Sequence, residues 1–400
     1  MMVKKTLRNQ VGWLLCCAFI SFGLMSCDPS AKAPKPSPSK RVENPEFAQG
    51  FRWREWGTEV NDSVNRCLEI VEIPGQEVII TVYRDSLSLS NDAERLKGDA
   101  VVLDSQAEGI ATLSSTHVAL LEAWDESLAH WSGGGYLDFV QSEVAQNLIA
   151  SNQVVNFGGG PEWNQEAILA SNFRVFCIYP YGNPMEHLEL SDALPVVPVL
   201  EYLEPSPLGR AEWMKALAWM VDDASWEMAS EVFNRIAEDY ESVKNLPLPT
   251  QDSLMVFTGS VNQGEWTAPG GGSLIATFLA DAGVRYFLAE HSGTENVVLS
   301  MEEMLAIKTK ADAWGMVMFH PHQGPMTHQI ILEQDPRNEL FVPDSDRIFV
   351  ANTSRCDYFG WWVAHPEAML HNLKTLFYGE RDAAGRVETD EPMCFEWAVY

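Results

Sequence analysis

Two similar short segments lie in opposite halves of the chain: Asn164-Gln165-Glu166-Ala167-Ile168-Leu169-Ala170 and Ser300-Met301-Glu302-Glu303-Met304-Leu305-Ala306. Each begins like a helix, carries a glutamate near its start, and runs into an apolar stretch typical of a buried strand. A repeated helix–strand unit predicts two lobes of similar build. The matched glutamates, Glu166 and Glu302, are then expected at equivalent places on the two lobes.

The sequence around these segments alternates between strand and helix patterns, which is typical of an α/β protein. Apolar runs predict strands at residues 77–83, 100–103, 110–113, 175–179, 195–200, 253–258 and 347–350. Capping residues and spacing predict helices at residues 118–125, 166–171, 274–282 and 368–378. Residues 51–105 as a whole have a β-rich pattern.

A longer helix is predicted in the middle of the chain. Apolar residues recur at intervals of three and four from Ala229 to Val243, and Pro247 follows. This pattern predicts an amphipathic helix from about residue 225 to 245, which would span about 30 Å.

The N-terminus has the pattern of a lipoprotein signal. A basic start is followed by an apolar run over residues 11–24 and by Leu24-Met25-Ser26-Cys27, which resembles a lipobox. Cleavage before Cys27 would leave a cysteine that carries acyl chains, and the Pro/Ser/Lys-rich residues after it predict a tether. An ordinary secretion signal with an incidental cysteine is the alternative.

The composition limits the partners of the chain. Its 400 residues are 46% hydrophobic and carry a formal charge of −29. Such a charge argues against nucleic acid and against an anionic membrane surface. It fits a neutral or cationic ligand or a basic protein partner, and equally it keeps an exported protein soluble.

Four of the seven cysteines lie beyond the lipobox: Cys67, Cys177, Cys356 and Cys394. Four thiols allow three pairings in an oxidising envelope. They are widely spaced without a CxxC, so a zinc ribbon is excluded. Cys177 lies in an apolar strand and is expected to be a buried free thiol.

Three stretches together resemble the substrate-binding lipoproteins of ABC importers for cobalamin, haem and ferric siderophores. Residues 201–213 are similar to a segment of a Bacteroidetes-like branch of these proteins, residues 266–283 give a second match, and residues 164–169 give a third. The resemblance covers about residues 100–375. It implies two Rossmann-like α/β lobes joined by a single long α-helix, with a ligand groove between the lobes.

The same resemblance implies a function. A lipid-anchored, periplasmic protein of the cell envelope would capture an iron-siderophore, haem or cobalamin-type ligand and deliver it to an ABC importer permease. It would be neither an enzyme nor the holder of a resident cofactor, and the sequence shows no nucleophile elbow, HExxH or nucleotide-binding lysine. A zinc- or manganese-binding protein of the same fold and a scaffold lipoprotein are the alternatives.

The expected domain organisation follows from these patterns. The predicted parts are a signal peptide at 1–26, a tether at 27–50, an N-terminal lobe at 51–223, an interdomain helix at 224–246 and a C-terminal lobe at 247–400. By resemblance, Glu166 and Glu302 would pair with arginines of the permease. The alternative is that they are ordinary helix-start glutamates that favour the helix dipole.

The ligand residues are expected at strand ends, helix starts and glycine-rich turns. The candidate residues are Ser115, Thr116, His117, Tyr181, Trp266, Gly271, Ser273 and Trp361, and the two turns are residues 133–135 and 270–272. Tyr179, Trp362, Glu201 and Glu204 are further candidates for the groove. The alternatives are N-capping for the hydroxyls, core packing for the aromatic residues and tight connections for the glycines.

Residues 319–328 depart from the family pattern because they are rich in histidine. His320 and His322, with His328, suggest a site for zinc or an axial ligand to haem. The alternative is a solvated loop, since no carboxylate follows at a recognised spacing.

Overall fold

The computed structural model describes residues 44–56, 65–73, 75, 77–159, 164–180, 194–248, 253–380, 389 and 393–400. The predicted signal peptide, the lipobox cysteine Cys27, most of the tether and the candidate ligand residue Tyr181 lie outside these ranges. Residues 42–400 form one compact unit.

The first sheet of the described chain has four strands and pairs with neither of the two lobe sheets. Its strands are β1 (Phe51–Trp56), β2 (Asn65–Val71), β3 (Val78–Tyr83) and β4 (Asp99–Val102), in that order, with α1 (Ser86–Asp92) after β3. The first three strands are antiparallel, and β4 is parallel to β3. Phe51 and Trp53 are buried on the face that packs against the centre of the molecule.

The N-terminal lobe is built on a parallel sheet. Its elements are β5 (Ile110–Thr112), α2 (Ser115–Glu122), β6 (Trp131–Gly134), α3 (Glu143–Ala150), β7 (Val155–Asn156), α4 (Gln165–Ala170), β8 (Val175–Ile178) and β9 (Val196–Pro198). The strand order is β7-β6-β5-β8-β9, and every pairing is parallel. β5, β8 and β9 are completely buried, as strands covered on both faces require, whereas the edge strand β7 is exposed.

Two consecutive helices connect the lobes, α5 (Pro207–Val221) and α6 (Asp223–Lys244). Asp222 ends α5 and caps α6, because its carboxylate accepts from the backbone N–H of Ser225. The 22 residues of α6 span about 33 Å. Asp223 at its start pairs with Arg84 of the N-terminal part, and Lys244 at its end pairs with Asp281 of the C-terminal lobe.

The C-terminal lobe repeats the α/β pattern. Its first elements are β10 (Met255–Thr258), β11 (Ser260–Asn262), β12 (Glu265–Pro269), α7 (Leu274–Asp281), β13 (Arg285–Tyr286), β14 (Asn296–Leu299), α8 (Met301–Lys308) and β15 (Ala313–Met318). The later ones are α9 (His328–Glu333), β16 (Ile348–Asn352), α10 (Trp361–Ala364), α11 (Pro366–Tyr378) and β17 (Phe395–Trp397). The main sheet has the order β13-β10-β15-β16-β17, and β11, β12 and β14 form a small antiparallel sheet.

The two lobes share one topology. In the N-terminal lobe β5 pairs with both β6 and β8, and β8 pairs with β9; in the C-terminal lobe β10 pairs with both β13 and β15, and β15 pairs with β16. Helices α4 and α8 immediately precede the equivalent strands β8 and β15. The predicted fold class, two α/β lobes joined through a long helix, is confirmed.

The prediction of a turn at residues 133–135 is wrong, because Gly133 and Gly134 lie within the strand β6. A Cβ at Gly133 would lie 2.4 Å from Cζ of Phe157, so this glycine makes room for a core ring.

Cys356 and Cys394 form a disulfide. Cys67 is buried and free, and so is Cys177, as predicted. No helix in the described part of the chain is both long and apolar enough for a membrane span.

Candidate functional site

A cavity of about 1310 Å³ lies between the two lobes. On the N-terminal side it is bounded by the residues that follow β5, β8 and β9, where the parallel strands end. On the other side it is bounded by the turn after β12 and by the segment that follows β16. Ligands of open α/β sheets bind outside the carboxyl ends of the strands, so this cavity is the candidate binding site.

Six aromatic residues line the cavity: Tyr136, Phe139, Tyr179, Tyr202, Tyr358 and Phe359. The rings of Tyr179 and Tyr202 lie 4.5 Å apart, centroid to centroid. Phe139 and Phe359 are 67% and 57% exposed, which is unusual for large apolar side chains. Exposed aromatic rings around a cavity provide flat apolar surfaces for a ligand.

Two helix starts face the cavity from opposite lobes. Ser115 and Thr116 form the start of α2, and Ser273 caps α7 by accepting from the N–H of Ala276. The cap of α2 is Ser114, whose hydroxyl accepts from the N–H of Thr116. The structure therefore places Ser115, Thr116 and Ser273 in the cavity wall, where they were expected.

Direct hydrogen bonds join the two lobes beside the cavity. The hydroxyl of Thr116 donates to the backbone carbonyl of Phe359 at 2.5 Å. A second contact across the lobes lies nearby, where the side-chain amide of Gln141 donates to the carbonyl of Thr353 at 2.9 Å. These bonds hold the lobes in register next to the cavity.

The charged residues of the cavity come from the segment between β9 and α5. Glu201 is 1% exposed, and its Oε2 lies 3.3 Å from Nε2 of His117. The guanidinium of Arg210 donates to the carbonyl oxygens of Tyr202 and Glu204. Burial lowers the pKa of Arg210, and burial raises the pKa of the Tyr358 hydroxyl to about 12, so the hydroxyl stays neutral at neutral pH.

Glu204 has a structural task as well as a place in the cavity wall. Its carboxylate accepts from the backbone N–H groups of Gln49 and Gly50 and from the indole of Trp213. Burial raises its pKa, although these hydrogen bonds oppose the rise. The neighbouring carboxylate of Glu212 accepts from three further N–H groups of residues 46–48. The two glutamates thus fasten the start of the described chain to α5.

Three expected ligand residues lie elsewhere. Trp266 is completely buried in the C-terminal core, where its indole donates to the carbonyl of Thr258, so it is no groove wall. Gly271 is a packing glycine, because a Cβ there would lie 2.1 Å from the carbonyl oxygen of Leu288. Trp361 lines a separate, smaller cavity between α6 and α11, together with Trp362.

His117 is completely buried beside the cavity and contacts it only through Glu201. Its ring supports the carboxylate instead of facing the ligand space. The prediction that His117 touches the ligand is therefore wrong, because the first turn of α2 directs this side chain into the core.

Among the described residues, those of the histidine-rich loop included, no group of three or more His, Cys, Asp or Glu side chains is placed to hold a metal ion. The backbone N–H of His322 donates to Nδ1 of His320. His328 instead stacks on Tyr400 and lies 3.7 Å from Asp346. His320 and His322 therefore lie together, with ring centroids 6.3 Å apart, and His328 has different neighbours.

Glu166 and Glu302 occupy matching places on the two lobes. Each is exposed and is the second residue of its helix, α4 or α8. In α8 the capping box is formed by Ser300 and Glu303, so Glu302 has no part in it. Within the described ranges, neither glutamate side chain accepts a hydrogen bond or pairs with a cation.

Residues 189–333 match the family model of the periplasmic binding proteins. The predicted resemblance to periplasmic substrate-binding proteins is confirmed, and the Bacteroidetes-like branch within them stays a prediction. An uncharacterized lipoprotein of Methanocaldococcus jannaschii is 24% identical over 324 residues, which cover 78% of this chain and 74% of that protein.

Solved structures of periplasmic binding proteins share the fold. A possible iron-binding, periplasmic solute-binding protein of Staphylococcus epidermidis superposes with a TM-score of 0.51 at 12% identity and covers 68% of this chain and 98% of its own. An ABC transporter substrate-binding protein of Listeria monocytogenes gives a TM-score of 0.50 at 14% identity and covers 67% of this chain and 98% of its own. About a third of this chain therefore lies outside the shared fold.

Sequence reasoning missed most of the aromatic cavity wall. Tyr136 and Phe139 lie in connections without a recognisable pattern, and Tyr202 lies in the matching segment of residues 201–213 but was not singled out. Tyr358 and Phe359 lie in the segment between β16 and α10, where the sequence offered no candidate. Arg210 lies in the most specific matching segment, and that position was the available signal for it.

Proposed function

We propose that this protein captures a metal chelate or macrocycle, of the iron-siderophore, haem or cobalamin type, and delivers it to the permease of an ABC importer. The observation that carries the proposal is the cavity between the lobes with its wall of aromatic rings. Its volume suits a ligand much larger than a single metal ion, and the rings suit flat, partly apolar surfaces. The protein would act by binding and release, without catalysis.

The experiment is a binding panel on the compact unit, residues 42–400. Cobalamin, haem, several ferric siderophores and zinc are titrated separately, and heat of binding is recorded. Saturable binding of a chelate or macrocycle at micromolar concentration or tighter is the expected result. The Phe139→Ala variant should weaken that binding, because the exposed ring lines the cavity. Binding of none of these compounds by the folded protein would count against the proposal.

The proposed permease contact uses Glu166 and Glu302. They are exposed, lie at equivalent helix starts on the two lobes, and have no described partner that would explain them structurally. Two carboxylates at a fixed separation give a docking partner both attraction and register, and arginine side chains bind carboxylates in a bidentate manner.

Changing both Glu166 and Glu302 to Gln should abolish ligand uptake by cells and leave ligand affinity unchanged, because docking and binding use different surfaces. A matched control changes Glu143 and Glu339, which are exposed helix-start glutamates on the N- and C-terminal lobes. Uptake should persist in that control. Normal uptake by the first double variant would remove the docking role.

The proposed location is the cell envelope, with the body held to a membrane by acyl chains on Cys27. The lipobox-like sequence supports this, and so does the similarity to a protein named as a lipoprotein. The Cys27→Ser variant should lose lipid labelling and leave the membrane fraction. Continued membrane association would indicate another anchor.

A further inference from the structure

The described residues that line the cavity carry unequal charge. Arg210 is the single cation among them, whereas Glu201, Glu204 and Glu295 are carboxylates. The starts of α2 and α7 add partial positive charge, but Ser114 and Ser273 already cap them, and a helix start is equivalent to about half a charge. The cavity therefore disfavours a ligand with several negative charges.

Arg210 is held in a fixed direction. Its Nε donates to the carbonyl of Glu204 at 3.3 Å, and its Nη2 donates to the carbonyl of Tyr202 at 2.7 Å. In the described part of the chain nothing accepts a hydrogen bond from Nη1. The guanidinium thus retains one donor group for a ligand.

Glu201 is held next to Arg210 in a similar way. Its side chain is 2% exposed, and Oε2 is engaged with His117. No described residue donates to Oε1. Glu201 and Arg210 attract each other, yet the ion pairs of the described residues do not include them, so their nitrogen and oxygen atoms are more than 4.0 Å apart.

A donor and an acceptor that no described residue engages therefore both line the cavity, and the charges of Arg210 and Glu201 lie close enough to interact. A primary carboxamide matches this arrangement, since its N–H can donate to Glu201 while its carbonyl accepts from Arg210. A carboxylate of the ligand would satisfy Arg210 but would place a second negative charge beside Glu201. Like charges in a cavity of low dielectric repel strongly, so the amide is preferred.

We propose that Glu201 and Arg210 select a ligand that carries carboxamide groups and no net negative charge. This inference rests on the proposed function, because it takes the cavity between the lobes as the ligand site. Within the proposed classes it favours a corrin with amide side chains over haem with its two propionates and over anionic ferric catecholates. The affinity for a ligand with an amide at this position should exceed that for the matching acid by at least about tenfold. A single mismatched polar group in a buried site lowers affinity by about this factor.

The test compares corrins that share one ring and differ only in their side chains. The full chain, solubilised in detergent, is titrated with dicyanocobinamide, dicyanocobyrinic acid and the heptamethyl ester of that acid. The expected order is amide tighter than ester, which lacks the N–H donors, and ester tighter than acid. The proposal would be overturned if dicyanocobyrinic acid bound as tightly as dicyanocobinamide, or more tightly.

Variants assign the preference to the pair. Glu201→Gln should bring the acid and amide affinities at least about tenfold closer together, because it removes the negative charge and keeps the shape. Glu295→Gln should reduce the difference between the acid and amide affinities by a smaller factor. It is the variant to measure if Glu201→Gln fails to fold. Glu231→Gln, exposed on α6, should leave the preference as in the wild type. An unchanged preference in both cavity variants would overturn the assignment.

The same design separates this inference from the proposed function. If haem or a siderophore binds and no corrin does, the cavity is a ligand site, and haem is compared with its bis-amide. Tighter binding of haem than of the bis-amide would overturn the inference alone. If none of the chelates and macrocycles binds to the folded protein, the proposed function is overturned, and this inference with it.

Discussion

At the scale of single residues, burial separates aromatic side chains that stabilise the fold from those available to a ligand. Trp266 is fully buried against Phe257, Trp314 and Phe341, whereas Phe139 is 67% exposed at the cavity. Trp266→Ala should lower the free energy of unfolding by about 3–5 kcal/mol, because it leaves a large void. Phe139→Ala should change it by less than about 0.5 kcal/mol and weaken ligand binding instead.

Urea unfolding and ligand titration of both variants check this contrast. Wild-type stability in Trp266→Ala would mean that the indole is not part of a close-packed core. A large loss of stability in Phe139→Ala would mean that its ring packs against the protein.

The predicted residues that lie in the cavity wall are those whose position depends on local sequence. Ser115, Thr116 and Ser273 follow from the capping chemistry of helix starts, which a few neighbouring residues determine. Trp266 and His117 were assigned wrongly because burial depends on contacts between distant parts of the chain. No short sequence pattern records that Trp266 lies against Phe341.

At the scale of elements, the N-terminal sheet is held by ion pairs between buried carboxylates and partly exposed arginines. Glu69 of β2 accepts from Arg52 and Arg54 of β1, and Arg54 also binds Asp92 at the end of α1. Burial by itself would raise the pKa of Glu69, but the two arginines lower it below its usual value of 4.5. The folded sheet therefore binds this proton less readily than the unfolded chain does.

The sign of the pH dependence follows from that lowered pKa. The stabilisation is fully present above the unfolded pKa of about 4.5 and is lost as the pH falls through the folded value. Glu69→Gln should lower the melting temperature at pH 7, and the difference from wild type should shrink at pH 3. The exposed Glu77→Gln, beside β3, is the control and should show little effect at either pH. A Glu69→Gln difference that is equal at both pH values would contradict this account.

Helix prediction succeeded where one face is polar. α6 alternates buried and exposed residues, so its spacing of three and four is visible, and the structure gives Asp223–Lys244 where about 225–245 was expected. α5 was missed because 12 of its 15 residues are buried, and a helix that is apolar all round has no periodic pattern. The strand at Gly133 was missed because glycine in a sequence usually indicates a turn. The sequence does not reveal that the ring of Phe157 occupies the space beside this glycine.

At the scale of the whole molecule, α5 and α6 together join the lobes. α5 packs along α6 and also contacts α2 of the N-terminal lobe and α7, α10 and α11 of the C-terminal lobe. The expected single-helix connection is thus reinforced by a second helix that the sequence pattern did not reveal. Bending between the lobes would disturb the close packing of α5 on both sides.

The four-stranded sheet adds to this rigidity. The ring of Trp53 lies 5.3 Å from that of Trp219 on α5, and Arg84 and Arg66 both approach Asp223 at the start of α6. Structures that share the fold cover about two thirds of this chain. The sheet, at residues 51–102, packs against the two helices that connect the lobes.

Ligand binding should therefore produce little closure of the lobes. Thr116 and Phe359 are already hydrogen-bonded across the cavity wall, and the α5–α6 connection resists hinge motion. Small-angle scattering of the chain with and without saturating ligand should give the same radius of gyration within error. Thr116→Val removes the bond between the lobes and serves as a comparison, and its unbound form should be no larger if the helices set the geometry. A clear compaction of the wild type on ligand addition would show that the two helices act as a hinge.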